Sequence, residues 1–467
     1  MFRAGSWSRN RAVGRLAAGG RFAGSTGIVS LFLVALMVFM LAVVPSTQCL
    51  ASSAGSVRRV SIEVRVAQPA FSVTVESKRS SATFPTAFVP VQLASGLAFP
   101  LRAVIEALGG TVRFEKAQNV VYFGIGPVAA AYDIGRRTLI DGAYKSTSRS
   151  DLYRVVGKIG TVYMTGATLK TLITQAGGAV QIAAKGGVTT VSCQIPSTMT
   201  DVLGAQHSTF PAKAGKMRLV TLAPNLAENC FALGQGGNII ATSEYTDYPE
   251  AARKIPTVGA FSNPSLERLL VLSPDLILVT DGTPLAVVDR LKKMGRTVYA
   301  DNPRTLLEIV SAIRNLSVVL GVPDRGYEVS LGMYRTIERV AAAGAKLPRK
   351  PSVYIELWNS PLMSAGKGTF VSDIVRVAGG TNIGDDTDTA WPTLSEEFVI
   401  SHNPDVIIVA SGMGAADVTG RTSFSTVKAV QLGQVYDMVG DYIFRPSPRI
   451  IQGLELIADY VQRAAQH

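Results

Sequence analysis

Ser265-Leu266-Glu267-Arg268-Leu269-Leu270-Val271-Leu272-Ser273-Pro274-Asp275-Leu276-Ile277-Leu278-Val279 and Ser395-Glu396-Glu397-Phe398-Val399-Ile400-Ser401-His402-Asn403-Pro404-Asp405-Val406-Ile407-Ile408-Val409 follow one plan. In each, a glutamate stands seven residues before a Pro-Asp, and an apolar run follows. The physical reading is a short helix, a Pro-Asp turn and a buried parallel strand. Two copies in one chain predict two similar lobes, each with a glutamate on an outer helix, and a crevice able to clamp a small molecule. Glu267 and Glu397 read as handles for a partner, since placed charges orient docking. Asp275 and Asp405 read as turn residues.

Outward from these units, βα alternation continues. Arg218–Asn225 predicts a strand running into a turn, and Leu226–Leu233 a helix closed by Gly234. Further strands are expected at Ile239–Thr242, Leu276–Val279 and Thr297–Tyr299, hence a largely parallel sheet. Thr305–Ala345 reads as a long helical region, broken or kinked near Gly321-Val322-Pro323-Asp324, with one apolar face at Leu306, Ile309, Val310, Ile313, Leu316 and Leu320. A second lobe begins at Ser352–Leu357 and ends in a helix reaching about Ala465.

A second duplication precedes the lobes. Phe99-Pro100-Leu101-Arg102-Ala103-Val104-Ile105-Glu106-Ala107-Leu108-Gly109-Gly110 predicts a helix stopped by Gly-Gly before a strand, and residues 162–180 repeat the plan with Gly177-Gly178. The strands after each helix, Val120–Phe123 and Val188–Val191, are expected to alternate buried and exposed. Residues 194–216, rich in Ser, Thr, Pro, Ala and Gly, read as a linker.

Bulk properties narrow the function classes. The chain has 467 residues, enough for two or three domains, and a net charge of +12. Five arginines precede the uncharged run Ile28–Val44, so part of that charge belongs to an export signal or a retained anchor. Arg and Lys are otherwise scattered with no aromatic interleaving, which argues against nucleic acid. The bulk of the chain is expected outside the cytoplasm. Cys49, Cys193 and Cys230 make no disulfide framework; two unpaired buried thiols are simpler than a Cys193–Cys230 bridge. His207, His402 and His467 lie in no ligand spacing, so no metal and no cofactor are expected. No nucleophile–base pair suggests an enzyme.

The Pro100-Leu101-Arg102-Ala103-Val104…Ala107-Leu108-Gly109-Gly110 segment resembles the small α+β module named after the N-terminal domain of copper amine oxidases. The resemblance concerns a non-catalytic stalk, and the second copy departs from it at Met164-Thr165. From Met217 onward the plan resembles the helical-backbone (class III) substrate-binding proteins of ABC importers, which serve cobalamin, haem and ferric siderophores. Four segments are similar to the cobalamin-binding branch: Asp247-Tyr248-Pro249, Pro256–Glu267, Trp391-Pro392-Thr393-Leu394-Ser395-Glu396-Glu397, and Asp441–Ile450. This resemblance implies ligand contact by Tyr248, Trp391, Asp441, Phe444 and Arg445, with Trp358 as a further wall, and docking to the permease by Glu267 and Glu397.

A corrinoid is a flat, mostly neutral disc fringed with amides, which calls for aromatic walls and a few hydrogen-bonding groups. An anionic siderophore would call for converging Arg or Lys, and Arg445, Arg449 and Lys367 keep that alternative open. Haem would favour a Tyr or His axial ligand, for which Tyr248 is the candidate. The expected architecture is therefore α/β. A signal or anchor (1–54), an α+β module (55–193) and a linker (194–216) come first. Two Rossmann-like lobes (217–303 and 350–467) joined by a backbone helix (304–346) follow.

Overall fold

The computed structural model describes residues 56–467 except 65–69, 77, 84–89, 94–95, 149–152, 157–158 and 187. The expected signal or anchor, with Cys49, lies outside the described residues, among which no helix is long and apolar enough to cross a membrane.

The N-terminal module holds β1 (Val57–Val64), β2 (Ala70–Val75), β3 (Lys78–Thr83), β4 (Val91–Leu93), β5 (Gly96–Pro100), α1 (Leu101–Ala107), β6 (Thr111–Glu115), β7 (Val120–Ile125), β8 (Val128–Asp133), β9 (Thr138–Ile140), β10 (Ser146–Ser148), β11 (Tyr153–Val156), β12 (Ile159–Thr165), α2 (Gly166–Gln175), β13 (Ala179–Lys185) and β14 (Val188–Pro196). The duplicated units β5–α1–β6 and β12–α2–β13 meet where β5 pairs antiparallel with β12. Each Gly-Gly does two jobs. Gly109 and Gly177 adopt φ of +85° and +81°, the left-handed caps. At Gly110 and Gly178 a β-carbon would stand 2.2 Å from the Gly124 carbonyl and 2.4 Å from that of Gln194. Val104, Ile105, Leu108, Leu169, Leu172 and Ile173 of the two helices share one core.

β7 does not alternate: all six of its residues are buried. One face, with Val121, Phe123 and Ile125, joins the module core. The other, with Val120 and Tyr122, packs with Ala129, Ala131 and Ile140 on Tyr327 and Leu331 of the backbone helix. The module is therefore no free stalk. Residues 194–216 are likewise no loose linker. They form β15 (Thr198–Thr200) and β16 (Gln206–Ser208), a hairpin. Its buried Asp201 accepts from His207 Nε2 at 3.1 Å and from the Ala300 N–H at 3.1 Å, covering a sheet edge of the first lobe.

The first lobe runs β17 (Leu219–Thr221), α3 (Pro224–Ala232), β18 (Ile239–Thr242), β19 (Gly259–Ala260), β20 (Asn263–Pro264), α4 (Leu266–Leu272), β21 (Leu276–Thr280), α5 (Leu285–Lys293) and β22 (Val298–Asp301). α6 (Leu306–Val319) and α7 (Pro323–Gly344) come next. The second lobe has β23 (Ser352–Glu356), β24 (Trp358–Asn359), β25 (Leu362–Met363), α8 (Phe370–Val377), β26 (Thr381–Asn382), α9 (Glu396–His402), β27 (Val406–Val409), α10 (Ala415–Thr419), α11 (Lys428–Gln431), β28 (Val435–Asp437), α12 (Asp441–Phe444) and α13 (Ile450–Ala464). The sheet orders are β18–β17–β21–β22 and β26–β23–β27–β28, both wholly parallel and the same permutation of four strands.

The backbone region 304–346, expected to be broken or kinked near Gly321–Asp324, is broken there into two helices. Gly321, at φ +74°, turns the chain, and the missing N–H of Pro323 lets a new helix start there. α6 and α7 then lie against one another, so close that a β-carbon on Gly326 would meet Ser317 Oγ at 1.8 Å. α7, 22 residues and about 33 Å long, carries the chain on to the second lobe, and α6 touches that lobe through the Leu306 N–H, which donates to Asp373 at 2.9 Å.

Candidate functional site

The duplicated units that opened the sequence are equivalent in detail. Ser265 and Ser395 cap α4 and α9, accepting from Arg268 N and Phe398 N. Both helices end at a residue with φ of 44°, Ser273 and Asn403. Each Pro-Asp aspartate then clasps the start of the neighbouring strand. Asp275 accepts the Arg218 N–H at 2.8 Å and donates its own N–H to the Arg218 carbonyl at 2.9 Å. Asp405 does the same with Ser352, at 2.8 and 2.9 Å. Glu267 and Glu397 stand exposed in the first turn of their helices. Neither forms an ion pair among the described residues. The Glu397 backbone N–H and the Ser395 hydroxyl hold the Glu397 carboxyl below its ordinary range.

In open parallel sheets ligands bind beyond the carboxyl ends of the strands. The expected binding residues lie there. Tyr248 follows β18, Trp358 follows β23, and Asp441, Phe444 and Arg445 follow β28. A ladder of hydroxyls, Thr221 to Thr242 at 2.8 Å and Thr242 to Thr246 at 2.9 Å, holds the loop that presents Tyr248. Tyr248 is 44% exposed and belongs to no core cluster. Trp358 is half-buried and donates Nε1–H to the Ser360 carbonyl at 2.9 Å. The Trp391 loop runs beside the strand that carries the Trp358 partner. Ser364 N donates to the Pro392 carbonyl at 3.0 Å, Gly366 N to that of Ala390 at 2.8 Å, and Trp358 pairs with Met363. Both tryptophans thus stand at one end of the second lobe, and Trp391 Nε1 is buried with no hydrogen-bond partner among the described residues.

Asp441 and Arg445 are not the free rim groups expected from the sequence. Arg445 reaches from the second lobe to Glu228 Oε1 at 3.0 Å and Asp247 Oδ1 at 2.6 Å in the first, and to Asp441 Oδ1 at 3.0 Å in its own. Arg449 forks onto Glu228, Nε to Oε2 at 2.9 Å and Nη2 to Oε1 at 2.6 Å, and its guanidinium lies 4.0 Å over the Tyr248 ring. Burial works against charge on Arg445, but Asp441, Asp247 and Glu228 outweigh it and raise its pKa. At Asp441 burial prevails and the carboxyl titrates above its usual range.

Sequence reasoning missed Glu228, named Asp247 only as part of the Tyr248 segment, and weighed Arg449 as a group for an anionic siderophore. A signal for Glu228 was present: Asn225, Glu228 and Asn229 form a polar i, i+3, i+4 stripe on a helix otherwise apolar. Large exposed apolar side chains also gather at this end. Tyr248, Leu285, Leu307, Met413 and Val439 follow β18, β21, β22, β27 and β28 respectively. A cavity of about 490 Å³ lies elsewhere, between the module and α7, lined by Gln118, Tyr122, Asp133, Arg136, Glu328 and Arg335, and holds none of these residues. Cys193 and Cys230 are free and buried, and burial pushes the Cys193 thiol up to about 12. Among the described residues no group of His, Cys, Asp or Glu has the makings of a metal site.

Two parallel lobes, with aromatic and apolar side chains projecting from the strand ends of both, define a two-lobed solute-binding protein. The chain belongs to the periplasmic binding protein family, whose profile matches residues 219–442; that family works outside the cytoplasm. It is 30% identical over 257 residues to the vitamin B12-binding protein of Vibrio cholerae serotype O1, spanning 55% of this chain and 91% of that relative. The counterpart in Yersinia pestis (strain Pestoides F) is 29% identical, over 52% and 85%. The crystal structure of periplasmic vitamin B12 binding protein BtuF of Vibrio cholerae superposes with a TM-score of 0.50 at 27% identity, covering 54% of this chain and 99% of that one. Nickel-bound CeuE of Helicobacter pylori shares the fold, with a TM-score of 0.50 at 22% identity over 57% and 89%. These relatives are solute-binding proteins rather than enzymes.

Proposed function

We propose that this chain is the extracytoplasmic binding component of an ABC importer and that it takes a corrinoid between its lobes. The observation that carries this reading is the charge balance at the crevice. An anionic siderophore needs unpaired guanidinium groups, but Arg445 and Arg449 are already engaged by three carboxylates, Glu228, Asp247 and Asp441. Lys367 alone of the three basic candidates forms no ion pair among the described residues, and ring and apolar surface comes from Tyr248 on one lobe and Trp358 and Trp391 on the other. A flat, mostly neutral ligand suits such walls. The similarity to vitamin B12-binding proteins supports the same choice. Haem and ferric siderophores are the competing ligands.

Glu267 and Glu397, equivalent on the two lobes, would meet basic pockets on the two permease subunits. The N-terminal module, similar to the copper amine oxidase N-terminal module, serves as a non-catalytic scaffold on the backbone helix. The test is calorimetric titration of the purified protein with cyanocobalamin, haemin and a ferric catecholate, with visible spectra. Saturable one-to-one binding of cyanocobalamin, tighter than the other two, is expected. Preference for haemin or the ferric complex would replace the corrinoid reading.

A further inference from the structure

Glu228 is buried, with 3% of its surface exposed, and sits on α3 of the first lobe. Every hydrogen bond its carboxylate accepts comes from the second lobe. The donors are Arg445 Nη1 at 3.0 Å, Ser447 Oγ at 2.6 Å, Arg449 Nε at 2.9 Å and Arg449 Nη2 at 2.6 Å. The next residue, Asn229, donates to the Pro446 carbonyl at 3.3 Å. One turn of α3 therefore holds residues 445–449 of the opposite lobe. The platform is itself fixed, because Arg325 of α7 donates to the Ala232 carbonyl at the end of α3 at 3.0 Å. Arg325 also pairs with Glu328, which takes Arg113 of the N-terminal module.

We infer that Glu228 is a positioning residue that pins the second lobe to the first beside the crevice, setting the inter-lobe angle and holding Arg449 against the Tyr248 ring. A buried carboxylate shared by two guanidinium groups and a hydroxyl is a directional joint, since losing it leaves both arginines under-compensated in a dry site. The inference deepens the binding reading by assigning what shapes its crevice. It rests on the two-lobed fold and is testable without any ligand.

The experiment is pulsed electron–electron distance measurement on the full chain. Nitroxides are placed at K292C in the first lobe and Q431C in the second, with C49S so that only the buried Cys193 and Cys230 remain as native thiols. The parent should give one narrow distance distribution. E228Q should roughly double its width while far-UV circular dichroism stays constant, and E228D, which restores the charge, should fall between. E455Q, which breaks the exposed Arg339–Glu455 pair, should change nothing. A folded E228Q with the parent distribution overturns the inference. If E228Q does not fold, the S447A and R449A double variant removes the same bonds from the other side and is judged by the same criterion. Should cyanocobalamin bind the parent, its dissociation from E228Q should quicken roughly tenfold. Failure of the parent to bind would count against the corrinoid and leave the distance result standing.

Discussion

Asp405 and Asp301 are opposite cases of a buried carboxylate. Asp405 resists burial through Arg349 Nη1 at 2.8 Å, Lys428 Nζ at 2.6 Å and the Ser352 N–H at 2.8 Å, and its pKa falls to about 2. A depressed carboxylate stabilises the fold above its unfolded value and loses that contribution as pH falls through the folded one. D405N should therefore cost about 2 kcal/mol at neutral pH and almost nothing near pH 2, by denaturant melts across that range. Asp301, at the end of β22, is buried with Oδ1 unpaired among the described residues, and burial with the nearby Asp281 lifts its pKa to about 7. Its sign is reversed: stability is lost as pH rises from the unfolded value to about 7 and stays lost above. D301N should stabilise the protein at pH 8, by no more than about 4 kcal/mol, and be neutral at pH 3. Equal effects at both pH values would contradict the assignment. Neither environment was legible in the sequence. Asp405 could be read as a turn residue because Pro-Asp is local chemistry, whereas its partners Arg349 and Ser352 lie more than fifty residues back. The pairing of Arg445 and Arg449 with Glu228 was hidden for the same reason, because these lobe-to-lobe partners are more than two hundred residues apart.

At the scale of elements, periodicity placed α3, β18, β21, β22 and β27 to within two residues. It failed where one element serves two neighbours. The pattern at Leu306–Leu320 announces a buried face but does not say that the next helix folds back on it. β7 has the composition of a buried strand, and only the position of α7 explains why both its faces are covered. Tyr327 and Leu331, one turn apart on α7, fill the second face, and Tyr327 donates its hydroxyl to the Ile140 carbonyl at 3.1 Å. L331D would place an unpaired charge in that seam. It should lower the stability of the whole chain by about 3 kcal/mol and open residues 208–217 to protease. A module that behaved as an independent stalk would instead leave the midpoint of the lobes unchanged.

For the whole molecule, internal repetition was the most informative signal. Two Pro-Asp units foretold two lobes, and both sheets have the same strand order. What repetition could not supply was the docking of the N-terminal module, since its contact surface on α7 looks in sequence like any helix face. The equivalence of α4 and α9 gives the docking expectation its form. The E267R and E397R double variant should abolish ligand uptake in cells while leaving solution affinity unchanged, and normal uptake would remove the docking role. The central claim is that rings from both lobes grip one flat guest. The direct measurement is the affinity of Y248A and W391A for cyanocobalamin by titration calorimetry. Each should bind at least about tenfold more weakly than the parent, the loss expected when an aromatic wall is removed. Parent-like affinity in both variants would contradict the claim.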